Sequence, residues 1–506
     1  MIGQIADGFI ALTQPITFLH LVGGFLLGLI FGAIPGLTAT LAIALLLPFT
    51  FGMNVTDALV MVAGIYMAGL YAGSITGITL NIPGAPSGAI STIDGHGLMK
   101  RGEGEQALGM SAFSSMIGGL IGAVFLIALA KPVSELALEF RTPDKFSLIV
   151  LAVVTVTIVA EGALLKSAIA MAIGLMISTV GIDPMVPEGR FDFGSYYLIE
   201  GISLLPAVIG LFAVSEMIAQ SATPGRAGQA VSVAEIISPK RKNFVPSWAR
   251  IREVGVFNFL KSGVLGVLIG MLPGGGASMA SFIAYAEAKR TAKHPEQFGK
   301  GSYEGLAASE TANNGVCGGA IIPLLTMGIP GDAVTAIIFG VLLIHGLVPG
   351  PTLLGESFPM IAPMFAAFFV ASFFVFLSML AFGPIYLRIS RINRGMLYAF
   401  IAMISMVGVY ASSSSIFQMW MALAIGVLAL MLRVCNYPVV PALMGVILGP
   451  YLEEFLRRSL IVSQGDPTIF LRSPASVTML VLTGLFIWLL RVRPSLKNGR
   501  LAKASG

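Results

Sequence analysis

Hydroxyls, amides and one carboxylate gather around four Pro-Gly pairs, and such groups can bind a polar solute where a helix is interrupted. The first pair gives Pro35, Gly36 and Thr38, and its counterpart gives Pro273, Gly274, Gly275 and Ser278. A second pair, Pro83-Gly84, is preceded by Ser74, Thr76, Thr79 and Asn81 and followed by Ser87. Its counterpart, Pro330-Gly331, is preceded by Asn313, Asn314 and Thr326 and followed by Asp332 and Thr335. Exposed amides at a new helix N-terminus can receive a carboxylate. Asp332 needs a cation, a donor or a proton at such a depth, which makes it a candidate for cation coupling; its other reading is the N-cap of the following helix. None of the four elements holds Arg or Lys. An anion would therefore meet backbone amides, side-chain donors and co-bound cations, and a neutral polar solute would satisfy the same donors.

The elements that must position these groups are duplicated. Residues 24–36 (GFLLGLIFGAIPG) and 262–274 (SGVLGVLIGMLPG) share small residues at every fourth position and end in Pro-Gly. Each copy continues to TLNIPG (79–84) or TMGIPG (326–331), then to a His-Gly-Leu at 96–98 or 345–347. Matching hydrophobic segments broken by Gly and Pro in two halves are the pattern of a secondary transporter, with the breaks marking the binding site. The stripe of Gly24, Gly28 and Gly32, like that of Ser262, Gly266 and Gly270, reads as close helix packing.

Composition places the chain in a bilayer. It is 56% hydrophobic and 11% charged over 506 residues, with mean hydropathy +0.90, whereas about a quarter of a soluble protein is charged. Apolar runs of lipid length recur throughout: 19–49, 56–81, 111–130, 146–180, 199–217, 254–286, 315–348, 360–387, 396–410, 416–432, 437–448 and 477–490. Some are too long for one span and some too short, and Pro35, Pro48, Pro323 and Pro330 interrupt two of them. Backbone groups freed at such breaks must be buried in protein or line a wet cavity. The expectation is an all-α integral membrane protein with about 10 to 12 transmembrane or re-entrant segments, in two pseudo-symmetric repeats with broken helices. Met1 to Thr17 has no basic region and includes Asp7 and Gln14, so the first apolar run reads as a span rather than a cleaved signal.

Basic residues set orientation. Lys240, Arg241, Lys242, Arg250 and Arg252 fill the central connection, Arg388, Arg391 and Arg394 a later loop, and Arg491, Arg493, Lys497, Arg500 and Lys503 the tail. By the positive-inside rule all three are cytoplasmic. The expected organisation is a first membrane half at 1–218, a basic linker at 219–253, a second half at 254–490 and a basic tail at 491–506. Lys100 and Arg101 follow the second Pro-Gly element of the first half, while 347–351 has no basic residue. That opposition indicates inverted topology. The net charge of +5 is an orientation signal rather than a nucleic-acid footprint.

His20, His96, His294 and His345 are dispersed, with no HExxH or GxSxG arrangement, so an intramembrane enzyme is disfavoured and no metal set is evident. Cys317 and Cys435 read as packed thiols. Glu161 and Lys166 read as a structural polar contact. A channel would need a continuous ion path, and a scaffold would leave the duplicated polar breaks without a role.

Three long motifs add a resemblance: GAIPGLTATLAIALLLPFTFGM at 32–53, GLYAGSITGITLNIPGAPSGAISTIDGHGLMKRGEGEQAL at 69–108 and GGAIIPLLTMGIPGDAVTAIIFG at 318–340. They resemble the large membrane subunit of tripartite tricarboxylate transporters, the TctA family, over 19–450. The resemblance implies a multi-pass protein of the bacterial inner membrane that imports citrate or a related di- or tricarboxylate. It implies work with a periplasmic solute-binding protein and a small membrane subunit, driven by a sodium or proton gradient, with no other cofactor.

Overall fold

The computed structural model describes residues 2–34, 36–160, 163–183, 185–221, 241–386, 403, 405–411 and 413–488. Pro35, Glu161, Lys240, the Arg388–Arg394 loop, most of the linker and the basic tail lie outside the described residues. In chain order the first helices are α1 (Ile2–Leu12), α2 (Pro15–Ala33), α3 (Ala39–Thr50), α4 (Val55–Leu80), α5 (Ala89–Lys100), α6 (Gly104–Leu138), α7 (Thr142–Val159), α8 (Leu164–Ile177) and α9 (Leu204–Val208). There follow α10 (Ser215–Ser221), α11 (Trp248–Val254), α12 (Val256–Gly270), α13 (Gly276–Thr291), α14 (Tyr303–Met327), α15 (Ala333–Ile344), α16 (Leu353–Glu356) and α17 (Phe358–Tyr386). Three more helices cover Ile416–Val434, Val439–Val462 and Pro474–Ile487.

The fold is all-α and multi-spanning, apart from a small antiparallel hairpin that pairs Gly181 with Arg190 and Ile182 with Gly189. Seven helices are long and apolar enough to cross a bilayer, or eight if α11 and α12, bent by 60° at Gly255, form one span. Five shorter apolar helices of 10–17 residues, among them α3, α8 and α15, accompany them. This is the count among the described residues, beside an expectation of 10 to 12 segments that included re-entrant ones.

The described residues form two compact units, one from 1–134 and 212–414, the other from 135–211 and 415–506. All four Pro-Gly pairs belong to the first. At its centre α4 is buried from Ala58 to Thr79, as expected of a helix apolar on every face. Asn54 opens α4 by accepting a hydrogen bond from the Thr56 amide at 3.1 Å, and Ser302 opens α14 by accepting one from Gly305 at 3.1 Å. The two end alike: Asn81 closes α4 at φ 58° and Gly328 closes α14 at φ 71°, both left-handed. The small-residue stripes set the packing of these helices. A Cβ at Gly24, Gly28 or Gly32 would run into the carbonyls of Met61, Ile65 or Gly69 on α4, and one at Gly266 into Ala312 on α14. Only hydrogen side chains permit such backbone approach.

In the second unit α8 packs on Val439–Val462 through Gly174 and Gly445, where a Cβ would meet the carbonyls of Ala442 and Met171. Asp144 at the start of α7 accepts from the Ser476 amide at 3.1 Å. The hairpin is tied to Val439–Val462 by ion pairs: Arg190 to Glu453 at 2.6 Å and Arg457 to Asp183 at 2.5 Å. The amides of Met185 and Val186 also donate to Asp183, at 2.7 and 2.9 Å. The Met185 amide first, and then Arg457, hold the Asp183 carboxyl down at about 2.

Candidate functional site

Helix ends flank each of the four Pro-Gly pairs, whereas Pro48 and Pro323, also expected to interrupt their runs, lie inside α3 and α14. The chain between α2 and α3 includes Gly36, exposed at φ 92°, and Thr38, which caps α3 by accepting from the Leu41 amide at 3.2 Å. Between α12 and α13, Pro273 and Gly274 are half-buried and Gly275 is buried, and Ser278 in the first turn of α13 is half-buried. Gly274, at φ 78°, donates its amide to the Gly331 carbonyl at 2.8 Å, so the two Pro-Gly elements of this half touch. Gly84 donates to Gly73 at 2.9 Å. A Cβ on Gly84 would run into the Gly32 carbonyl, and one on Gly331 into the Gly270 carbonyl. Both glycines are therefore required by contact with the preceding small-residue stripe.

The polar side chains divide by what they touch. Thr79 and Thr326 each donate to the carbonyl four residues back, at 2.8 and 2.7 Å. Asn313 and Asn314, fully buried on α14, donate their amides to the Leu70 and Met67 carbonyls of α4, both at 3.1 Å. Ser74, Thr76 and Ser87 are buried, whereas Asn81 and Pro83 are exposed and Pro330 is buried. Among the described residues the Ser87 hydroxyl has no hydrogen-bond partner. It sits in the turn Pro86–Gly88 that leads into α5, and that turn packs against α13.

Asp332 is 8% exposed and caps α15. Its Oδ1 accepts from the Thr335 amide and hydroxyl, each at 2.8 Å. Its Oδ2 accepts from the Tyr66 hydroxyl of α4 at 2.5 Å. The carboxylate thus accepts from Tyr66 and Thr335 and serves as the N-cap of α15. Neither α5 nor α13 has a side-chain cap; α5 continues from the turn Pro86–Gly88, whose geometry already takes the Gly88 and Ala89 amides to the Ala85 and Pro86 carbonyls.

Two groups escaped sequence reading. Tyr66 is one of two phenols inside the apolar run 56–81, and nothing in its spacing links it to Asp332. Glu310 lies just before the apolar run counted from Gly315, yet it is fully buried, with the Ser115 hydroxyl donating to Oε2 at 2.8 Å. The signal available was a carboxylate flanked by Ser309, Thr311, Asn313 and Asn314, a polar run too sparsely charged for a solvated surface.

Two of the four histidines have hydrogen-bond partners. His96 Nδ1 lies 3.1 Å from the Ile78 carbonyl, and His294 lies 3.2 Å from Glu296. Among the described residues no group of three or more His, Cys, Asp or Glu is placed to hold a metal.

Comparison with known proteins agrees with this architecture. The chain is 33% identical over 500 residues, 99% of its own length and 98% of the other's, to an uncharacterized 52.8 kDa protein in the TAR-I ttuC' 3'region of Agrobacterium vitis. A second protein of that organism, uncharacterized and in the TAR-II ttuC' 3'region, is 34% identical over 235 residues, 46% of this chain and 97% of its own. No solved structure matches. The family description that matches residues 18–444 is that of the tripartite tricarboxylate transporter TctA family. With that match across most of its length and a fold of long apolar helices, the chain is a multi-pass inner-membrane transport protein and belongs to the TctA family.

Proposed function

We propose that this chain is the large permease subunit of a tripartite transporter that imports citrate or a related di- or tricarboxylate by alternating access, coupled to a sodium or proton gradient. The observation that carries the reading is the pair of uncapped helix starts at α5 and α13, with the turn before α5 against α13 and the buried Ser87 hydroxyl unpaired. First-turn amides and a free hydroxyl suit a carboxylate without a buried Arg or Lys. In this reading Ser87, Gly275 and Ser278 stand closest to the substrate, with Gly36, Thr38, Ser74, Thr76, Asn81, Pro83, Gly84, Pro273, Gly274, Asn313, Asn314, Thr326, Pro330 and Gly331 shaping the pocket and its breaks. Asp332 is the cation-coupling group, and Tyr66 releases or holds its carboxylate.

The halves 1–218 and 254–490 are read as inverted repeats. The support is the paired contacts of Gly84 with Gly32 and of Gly331 with Gly270, and the matching left-handed ends at Asn81 and Gly328. The partners proposed are a periplasmic solute-binding protein and a small membrane subunit. Reconstitution with both, followed by accumulation assays on a panel of di- and tricarboxylates under imposed sodium and proton gradients, tests the reading. Accumulation of at least one carboxylate under one gradient is expected. Accumulation of none, with all three proteins intact, rejects it.

A further inference from the structure

Four carboxylates among the described residues are buried: Asp94, Asp144, Glu310 and Asp332. Three accept backbone amides. Asp94 takes those of Gly299 and Gly301 at 2.8 Å each, Asp144 those of Arg141 and Ser476, and Asp332 that of Thr335. Glu310 differs, because its neighbours are hydroxyls. Ser115 of α6 donates to Oε2, and Ser74 of α4, Ser91 of α5 and Ser111 of α6 face the same carboxyl group. Among the described residues Oε1 closes no hydrogen bond, and neither do the buried hydroxyls of Ser74, Ser111, Ser114 and Thr311. Glu310 forms no ion pair among the described residues. The helices that carry these groups meet at close range, since a Cβ at Gly118 would run into the Thr311 carbonyl and one at Gly318 into that of Gly122.

A buried carboxylate without a counter-charge is costly, and it is neutralised by a proton or a bound cation. A proton would satisfy one oxygen and leave several hydroxyl lone pairs unmet. A hard cation satisfies many oxygens at once, and an all-oxygen set of one carboxylate and several hydroxyls is the donor type that such ions select. One carboxylate balances one positive charge, whereas a divalent ion here would leave a net charge buried. We infer that Glu310, with the hydroxyls of Ser74, Ser91, Ser111 and Ser115, forms a binding site for one sodium ion between α4, α5, α6 and α14. A role in transport rests on the gradient-coupled reading above; the binding does not.

The test uses the purified full-length chain without substrate, with sodium chloride as probe and choline chloride as control. The readouts are the thermal unfolding midpoint and retention of radioactive sodium. The wild type is expected to be stabilised saturably by sodium, and Glu310→Gln to lose both signals. The double variant Ser111→Ala/Ser115→Ala keeps the carboxylate and is expected to need about tenfold more sodium for half-saturation, the equivalent of 1.4 kcal/mol. No response in the wild type, or a wild-type half-saturation in Glu310→Gln, overturns the proposal. Should Glu310→Gln not fold, an unchanged half-saturation in the serine variant overturns it equally. Loss of the response in Asp332→Asn with retention in Glu310→Gln places the ion at Asp332 and also overturns it. Because no carboxylate is present, failure of the transport reading leaves this measurement intact.

Discussion

The Tyr66 hydroxyl donates to Asp332 Oδ2 at 2.5 Å, tying α4 in the first half of the sequence to the cap of α15 in the second. Thr335 occupies the other carboxylate oxygen. Asp332→Asn keeps the shape and an oxygen for the cap but removes the charge. It is expected to weaken the cation dependence of transport more than capture by the separate binding protein. Unchanged cation dependence and rate at equal abundance would make Asp332 a cap alone. Tyr66→Phe leaves one buried carboxylate oxygen without its donor and should cost about 1–3 kcal/mol of stability, read in thermal unfolding.

Glycine substitutions should separate two roles. Valine at Gly84 or Gly331 drives side-chain atoms at the Gly32 or Gly270 carbonyl, where the breaks meet the stripes. Transport per folded protein is expected to fall in both variants, beyond any loss of abundance from the clash. Valine at Gly28 or Gly266 strikes the Ile65 or Ala312 carbonyl inside a helix pair, and should reduce folded protein, at a cost of about 1–3 kcal/mol or more from overpacking. Equal abundance with altered substrate preference at Gly28 or Gly266 would contradict the distinction.

Inverted repeats make a topological prediction. Small tags inserted after Arg101 and after Pro349 should be labelled from opposite faces of the membrane. Labelling of both from the same face removes the inversion.

The Asp183 carboxyl sits at about 2 in the folded protein against 3.8 in an unfolded chain. A depressed value means that its contribution to stability is fully present above about pH 4 and fades as pH falls through about 2. The wild type should therefore exceed Asp183→Asn in stability by a constant margin from pH 5 to 7, and the margin should close in acid. A margin that persists unchanged near pH 2 would show that the ion pairs with Arg457 and Arg190 are not its source.

The breaks were legible in the sequence because Gly and Pro act locally: Pro-Gly cannot continue a helix, and a repeated stripe of small residues announces a helix pair. Asp332 stood out for the same reason, as a charge beside punctuation. Glu310 and Tyr66 did not, since their significance lies in partners far away along the chain. Ser115 and Ser74 meet Glu310 only once α4, α6 and α14 are packed. The contacts of Asn313 and Asn314 with the Leu70 and Met67 carbonyls are likewise invisible to periodicity, because the acceptors are backbone atoms that carry no residue identity.

The burial of α4 has a consequence for biogenesis. This helix leaves the ribosome long before α14 and α17, which pack against it in the finished protein, so it must first be surrounded by lipid or by insertion machinery. α14 is not among the seven helices apolar enough to cross on their own, and its Glu310, Asn313 and Asn314 find acceptors and donors only on segments already made. Insertion of the second half therefore depends on the first being in place as a template. A photo-crosslinker at Met67 should capture lipid or insertion factors in chains truncated before Tyr303, and α14 in the complete chain.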